Sequence, residues 1–157
     1  EFRRVLFRSM QDLMGKSYIA YARCAAVGGA ALQLDAQIRI IRQFADHQGM
    51  RCVDEVRLAG VGGWFPALRP DLLALLDRRQ RRRDFEVLVV TDPARLTRAG
   101  VAAAAEIQTA FANQGVRIVD LNEVALVAQL GHQIGRLDAR AEEGSDGGRP
   151  CGPPLSE

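Results

Sequence analysis

The chain has 157 residues, of which 48% are hydrophobic and 25% charged, and it carries a net charge of +2. That length suits one domain with an ordinary core, and the composition excludes a fibrous or wholly disordered chain. Apolar runs such as Val87 to Val90 are far too short to span a bilayer.

Residues 1–13 are expected to be a leader outside the fold, adapter-derived or disordered. Glu1 to Ser9 resembles a translated adapter and lacks the long apolar stretch and cleavage site of a targeting peptide. Met10 or Met14 is the expected natural start. Tyr18 to Ala22 is the first predicted strand, rich in β-branched and aromatic residues. Gly28 and Gly29 follow in a loop. A helix is predicted over Leu34 to Gln48, because Leu34, Ile38, Ile41 and Phe44 to Ala45 recur at helical spacing. Gly49 stops it.

Cys52 to Val56 reads as a second strand, and Arg57 to Leu68 as a glycine-rich loop holding Trp64. Arg69-Pro70-Asp71 opens the next helix, with proline suited to the first turn and aspartate to the dipole. Five arginines between Arg78 and Arg83 end that helix, either as a solvated face or as a phosphate-contacting patch. Phe85 to Thr91 reads as a central strand covered on both faces. Then come the loop Asp92 to Arg98, an alanine-rich helix from Val101 to Asn113, and a fourth strand from Val116 to Leu121.

Strand and helix alternate throughout, so the fold class is α/β with a mainly parallel sheet of four or slightly more strands flanked by helices. Leu126 to Ala141 reads as one amphipathic helix, which places the domain at 14–141. Residues 142–157 are Gly/Pro-rich without an apolar period and read as a disordered tail.

Lys16 is the only lysine, so nearly every cation is an arginine. Arginine suits bidentate phosphate contact, although high-GC coding enriches it as well. Cys24, Cys52 and Cys151 form no C-x-x-C pair, and His47 and His132 stand alone. No metal, cofactor or disulfide framework is expected, and a cytoplasmic setting is inferred. Neither a dinucleotide fingerprint nor a phosphate-loop motif is present, and two isolated histidines give no triad.

Several short motifs, in order, resemble the catalytic domain of the serine recombinases, the resolvase/invertase family. Tyr21-Ala-Arg23-Cys-Ala25 resembles the family's tyrosine, arginine and nucleophilic serine. Gln37 stands where the family has a glutamine on its first helix, and Arg69-Pro-Asp-Leu-Leu73 resembles its arginine-led helix start. Val89 to Arg98 resembles the strand and loop that carry two further arginines. Val116 to Glu123 resembles the next strand, so the likeness covers Ser17 to Glu123.

The resemblance implies a resolvase-like fold and a metal-free cleavage of DNA. A serine hydroxyl attacks the phosphodiester while arginines balance the charge gathering on phosphoryl oxygens. It assigns phosphate binding to Arg23, Arg69, Arg95 and Arg98, with Gln37 positioning them. Arg95 and Arg98, three apart, are expected on one helical turn aimed at one site.

The chain departs from the pattern at the site itself. Ala25 occupies the serine position. Leu58 and Ala94 replace aspartates, and Gly62 replaces a loop serine. Cys24 is expected to face away from the arginines because neighbours on a strand alternate.

The expected function is therefore a degenerate recombinase domain, inactive in strand exchange, that binds the DNA backbone weakly. It is also expected to associate with itself or with a related recombinase. A small α/β nucleotide- or ligand-binding domain using the Gly60 to Gly63 loop remains open, as does a truncated gene product without present function.

Overall fold

The computed structural model describes residues 12–64 and 66–126, together with residues 128, 129, 132 and 136. The chain divides into two units, Glu1–Val124 and Ala125–Glu157. In the second, the six described residues, 125, 126, 128, 129, 132 and 136, are all helical. The expected tail lies outside the described residues, as does most of the leader. Leu13 is described: it is buried in the core, so core packing begins before Met14.

In the first unit, β1 (Ser17–Cys24) is buried along its whole length. Its alternating small and bulky residues supply both faces of the sheet. Helix α1 (Ala30–His47) follows, starting four residues earlier than Leu34 because Gly29 takes up φ 71° and turns the chain into it. Strand β2 (Arg51–Ala59) runs three residues past the predicted end at Val56. Next come helix α2 (Pro70–Arg82), β3 (Val87–Val90), a 3-10 turn (Pro93–Arg95), helix α3 (Val101–Ala112) and β4 (Arg117–Asp120). Residues 121–124 are helical.

All four strands are parallel and lie in the order β2-β1-β3-β4. The fold class is the expected one. From β1 the chain steps one way along the sheet to β2, then crosses back over β1 to β3 and on to β4. Right-handed crossovers therefore put α1 on one face and both α2 and α3 on the other. The two core clusters match this arrangement. Tyr18, Ala20, Ala22, Val87 and Val89 pack with Leu34, Ile38 and Ile41 of α1. Ile19, Tyr21, Leu88 and Val90 pack with Leu72 and Leu76 of α2 and Ile107 and Phe111 of α3. Each fully buried Leu, Ile or Phe contributes roughly 1.5–3 kcal/mol.

The arginine run at the end of α2 is mostly tied to the protein. Arg78 pairs with Asp84 and Asp54, Arg79 donates to the carbonyls of Gln114 and Phe85, and Arg81 pairs with Asp77. Arg82 and Arg83 are exposed.

Strand order reverses between β1 and β3, and the carboxyl ends of the strands at such a point are where open α/β sheets build their sites. Arg23, Ala25, Asp92 and Arg95 all fall there.

Candidate functional site

Arg23 is the penultimate residue of β1, and its side chain shares the face of Ile19 and Tyr21. It is 1% exposed. Its Nε donates to the Arg95 carbonyl at 2.7 Å and its Nη1 to the Val61 carbonyl at 2.6 Å. Nη2 donates to the Ala94 carbonyl. One guanidinium thus ties the loop after β2 to the loop after β3. Burial lowers its pKa, and the charge of Arg69 lowers it further, with smaller effects from Arg98 and Arg95. Backbone contacts tie three of them together: Arg23 and Arg95 each donate to the other's carbonyl, and the Arg98 N–H bonds Gly63, against which the Arg23 guanidinium lies.

Arg95 returns the contact. Its Nη1 donates to the Arg23 carbonyl at 2.9 Å, and its Nε to Asp92 at 3.0 Å. The other Asp92 oxygen accepts from the Ala94 N–H and caps the 3-10 turn. Gln37 reaches over from α1 and brackets the Arg23 peptide: its Oε1 accepts from the Arg23 N–H at 3.2 Å, and its Nε2 donates to the Arg23 carbonyl at 3.1 Å. Gln37 therefore fixes the backbone of β1 rather than the guanidinium.

Arg69 is 5% exposed. It donates to the Leu96 carbonyl at 2.7 Å, to the Tyr21 hydroxyl at 2.8 Å and to Asp71 at 3.2 Å. The Tyr21 hydroxyl in turn donates to Asp71 at 2.5 Å. Burial raises the Tyr21 pKa, and the hydrogen bond to Asp71 raises it further. Asp71 does more than complement the helix dipole; it closes a three-membered polar network on the sheet face.

Arg98 differs from the other three. It is exposed, and its guanidinium makes no hydrogen bond or ion pair among the described residues. Its N–H donates to the Gly63 carbonyl at 2.5 Å. The expectation that Arg95 and Arg98 share a helical turn is corrected. The 3-10 turn ends at Arg95 and α3 begins only at Val101. Between them, Thr97 Oγ1 donates to the Gly63 carbonyl and accepts from the Ala99 N–H, which diverts the chain.

The four departures from the recombinase pattern surround this cluster. Ala25 is exposed just beyond β1. Leu58 pairs in register with Arg23 and packs on the second core cluster. Gly62 is exposed, and Ala94 serves through its carbonyl. Cys24 lies on the opposite face, its thiol donating to Gln33 at 2.9 Å. In the Gly60 to Gly63 loop, the N–H groups of Gly60 and Val61 donate to the carbonyls of Ala26 and Cys24. Those donors are spent within the protein and do not converge on a ligand. Among the described residues no group of His, Cys, Asp or Glu is placed to hold a metal ion, and no helix is long and apolar enough to cross a membrane.

Sequence reasoning singles out Arg23, Gln37, Arg69, Arg95 and Arg98 as candidates; Gln37 and Arg95 bond the Arg23 backbone, Arg69 bonds the Leu96 carbonyl, and Arg98 meets Gly63 through its N–H. That reasoning misses the carbonyls of Val61, Ala94, Arg95 and Leu96, which carry no residue signature. It also misses Asp92, whose place immediately before Pro93 is the signal of a capped turn.

A family model described as the resolvase N-terminal domain matches residues 18–141. The chain belongs to the resolvase family. Among solved structures, this resolvase domain is similar to the C-terminal catalytic domain of ISC1926 TnpA, an IS607-like serine recombinase. The identity is 26% and the TM-score 0.57, over 67% of each chain. It is also similar to the N-terminal catalytic domain of TP901-1 integrase, at 20% identity and a TM-score of 0.59, over 83% of this chain and 99% of that one. A resolvase family site-specific recombinase from Streptococcus pneumoniae gives 16% identity and a TM-score of 0.55, over 82% of this chain and 93% of that one. The last two support the fold. Comparison with curated proteins gives no match.

Proposed function

We propose that this resolvase domain holds the DNA backbone without cleaving it. One observation carries the reading: Ala25, exposed just beyond β1, stands where the family's serine is expected. Cleavage through a covalent enzyme–phosphate link requires an atom with a lone pair to attack phosphorus. The methyl group of Ala25 has none.

The neighbouring hydroxyls and thiol are engaged elsewhere, which supports the same reading. The Tyr21 hydroxyl is bound between Arg69 and Asp71, and its raised pKa keeps it neutral. Thr97 bonds the Gly63 carbonyl. The Cys24 thiol lies on the other side of the sheet.

The arginines divide their work in this account. Arg23 and Arg69 hold the loops and set a positive field. Arg98, exposed and unpaired among the described residues, meets a phosphate, with Arg95 beside it. Gln37 keeps the β1 peptide that supports Arg23 in place. Such a domain acts in the cytoplasm by binding DNA, or by joining an oligomer with its own copies or with an active recombinase.

The test is a denaturing-gel assay for covalent protein–DNA adducts on supercoiled plasmid. No adduct and no nicking are expected from the natural sequence. A stable adduct mapping to this domain would overturn the reading.

A further inference from the structure

Trp64 is 60% exposed, and it is the only tryptophan in the chain. Leaving an indole in water forfeits the burial that usually places large aromatics in cores or interfaces. The peptide before it is tied to the protein. Gly63, the residue before it, accepts from the Arg98 N–H and from Thr97 Oγ1, and it lies against the Arg23 guanidinium. The peptide that carries the indole is therefore bonded to the backbone of Arg98, whose guanidinium makes no hydrogen bond or ion pair among the described residues. Exposed Val27, which packs beside Gly60, and exposed Val101, three residues after Arg98, add apolar surface nearby.

The charge here is positive. Arg23, Arg69, Arg95 and Arg98 outnumber the carboxylates at this end of the sheet, Asp71 and Asp92, each already paired with an arginine, and Asp120 close to Asp92. An exposed aromatic whose peptide bonds to Arg98, a cation without an ion pair among the described residues, suits a ligand that alternates flat rings with anions. A nucleic-acid strand is such a ligand. In a duplex the base faces are already stacked on one another, so an indole gains nothing there. An unpaired base has a face to offer.

We infer that Trp64 is a stacking platform for an unpaired base, with Arg98 holding the adjoining phosphate, so that single-stranded DNA is the ligand of this edge. The inference rests on the proposed phosphate-binding reading and adds to it a base contact and a strand preference.

The test uses the full chain and the fluorescence of Trp64 itself, at low salt. Three probes of equal length are compared: an oligothymidylate, an abasic oligomer carrying the same phosphates, and a duplex. Saturable quenching by the oligothymidylate alone is expected. Trp64→Leu should weaken oligothymidylate binding, followed by anisotropy of a labelled strand, by roughly 5- to 150-fold, the range for one stacked base. It should leave abasic binding unchanged. Arg98→Ala should weaken both. Equal affinity of Trp64→Leu and the natural sequence for oligothymidylate, or a missing quench despite binding, would overturn the inference and leave phosphate binding standing. Absence of binding to every probe would overturn both.

Discussion

The Arg23 guanidinium and the Gly63 backbone are in such close contact that no side chain fits between them. A Cβ on Gly63 would stand 2.8 Å from Arg23 Cζ and closer still to Nη2. Arg23 cannot withdraw, because three loop carbonyls hold it. Gly63→Ala is therefore expected to cost ~1–3 kcal/mol, as overpacking does, and to lower Tm by several degrees. Gly62→Ala is the control: its Cβ would meet nothing within 4 Å. Thermal melts of the two variants check the pair, and equal melting temperatures would contradict the contact.

Tyr21 ties Arg69 to Asp71 through its hydroxyl. Tyr21→Phe leaves those two charges paired with each other but removes both hydroxyl bonds, at a cost of roughly 1–3 kcal/mol near pH 7. A pH effect follows as well. Burial and Asp71 raise the folded-state pKa of Tyr21 above its unfolded value. The stability tied to its neutral form is fully present below pH 10 and is lost as pH rises toward the folded value. Tyr18, also raised by burial, shares that sign. Urea titrations above pH 10 should show stability falling with pH, less steeply in Tyr21→Phe than in the natural sequence.

Asp120 ends β4 at the same edge of the sheet. Burial raises its pKa, and Glu123 and Asp92 raise it further, against opposing hydrogen bonds from the Asn122 and Glu123 backbone. A raised carboxyl favours the protonated fold, so its stabilising share is present below the unfolded pKa and lost as pH rises through the folded one. Asp120→Asn should keep the bond from the Asn122 N–H and raise the urea midpoint at pH 7. The gain should vanish near pH 3.

Arg83 closes α2 with φ 49°, the only positive φ among described residues other than glycine. The left-handed conformation costs an ordinary residue roughly 1–2 kcal/mol. Glycine avoids that penalty but loses about 0.5–1 kcal/mol of chain entropy. Arg83→Gly should therefore be neutral to mildly stabilising in denaturant unfolding, the reverse of glycine substitutions in helix interiors.

Much of the fold is legible because its signals are side-chain periods. Leu34, Ile38 and Ile41 give α1, and the run Val87 to Val90 gives β3. The errors have physical causes. Alanine marks an apolar face weakly, so Ala30 does not announce the first turn of α1. Strand β2 is an edge strand, bonded to β1 alone, and its outer residues face water. Arg57, Leu58 and Ala59 therefore read as loop although they pair with Ala22, Arg23 and Cys24.

The candidate site divides in the same way. Its arginines are visible as residues in order. Their partners are not, because Val61, Ala94, Arg95 and Leu96 act through backbone carbonyls that every residue possesses. Sequence order alone makes the four arginines equivalent, whereas the fold commits Arg23 and Arg69 to structure and leaves Arg98 open.

The central claim is that this resolvase domain still holds a DNA phosphate. The direct measurement is DNA affinity over a salt series for the natural sequence and for Arg98→Ala, which removes no side-chain hydrogen bond or ion pair among the described residues. The account predicts affinity that falls steeply with salt, and a log–log slope smaller by about one in the variant. Identical slopes, or no binding at any salt, would contradict it.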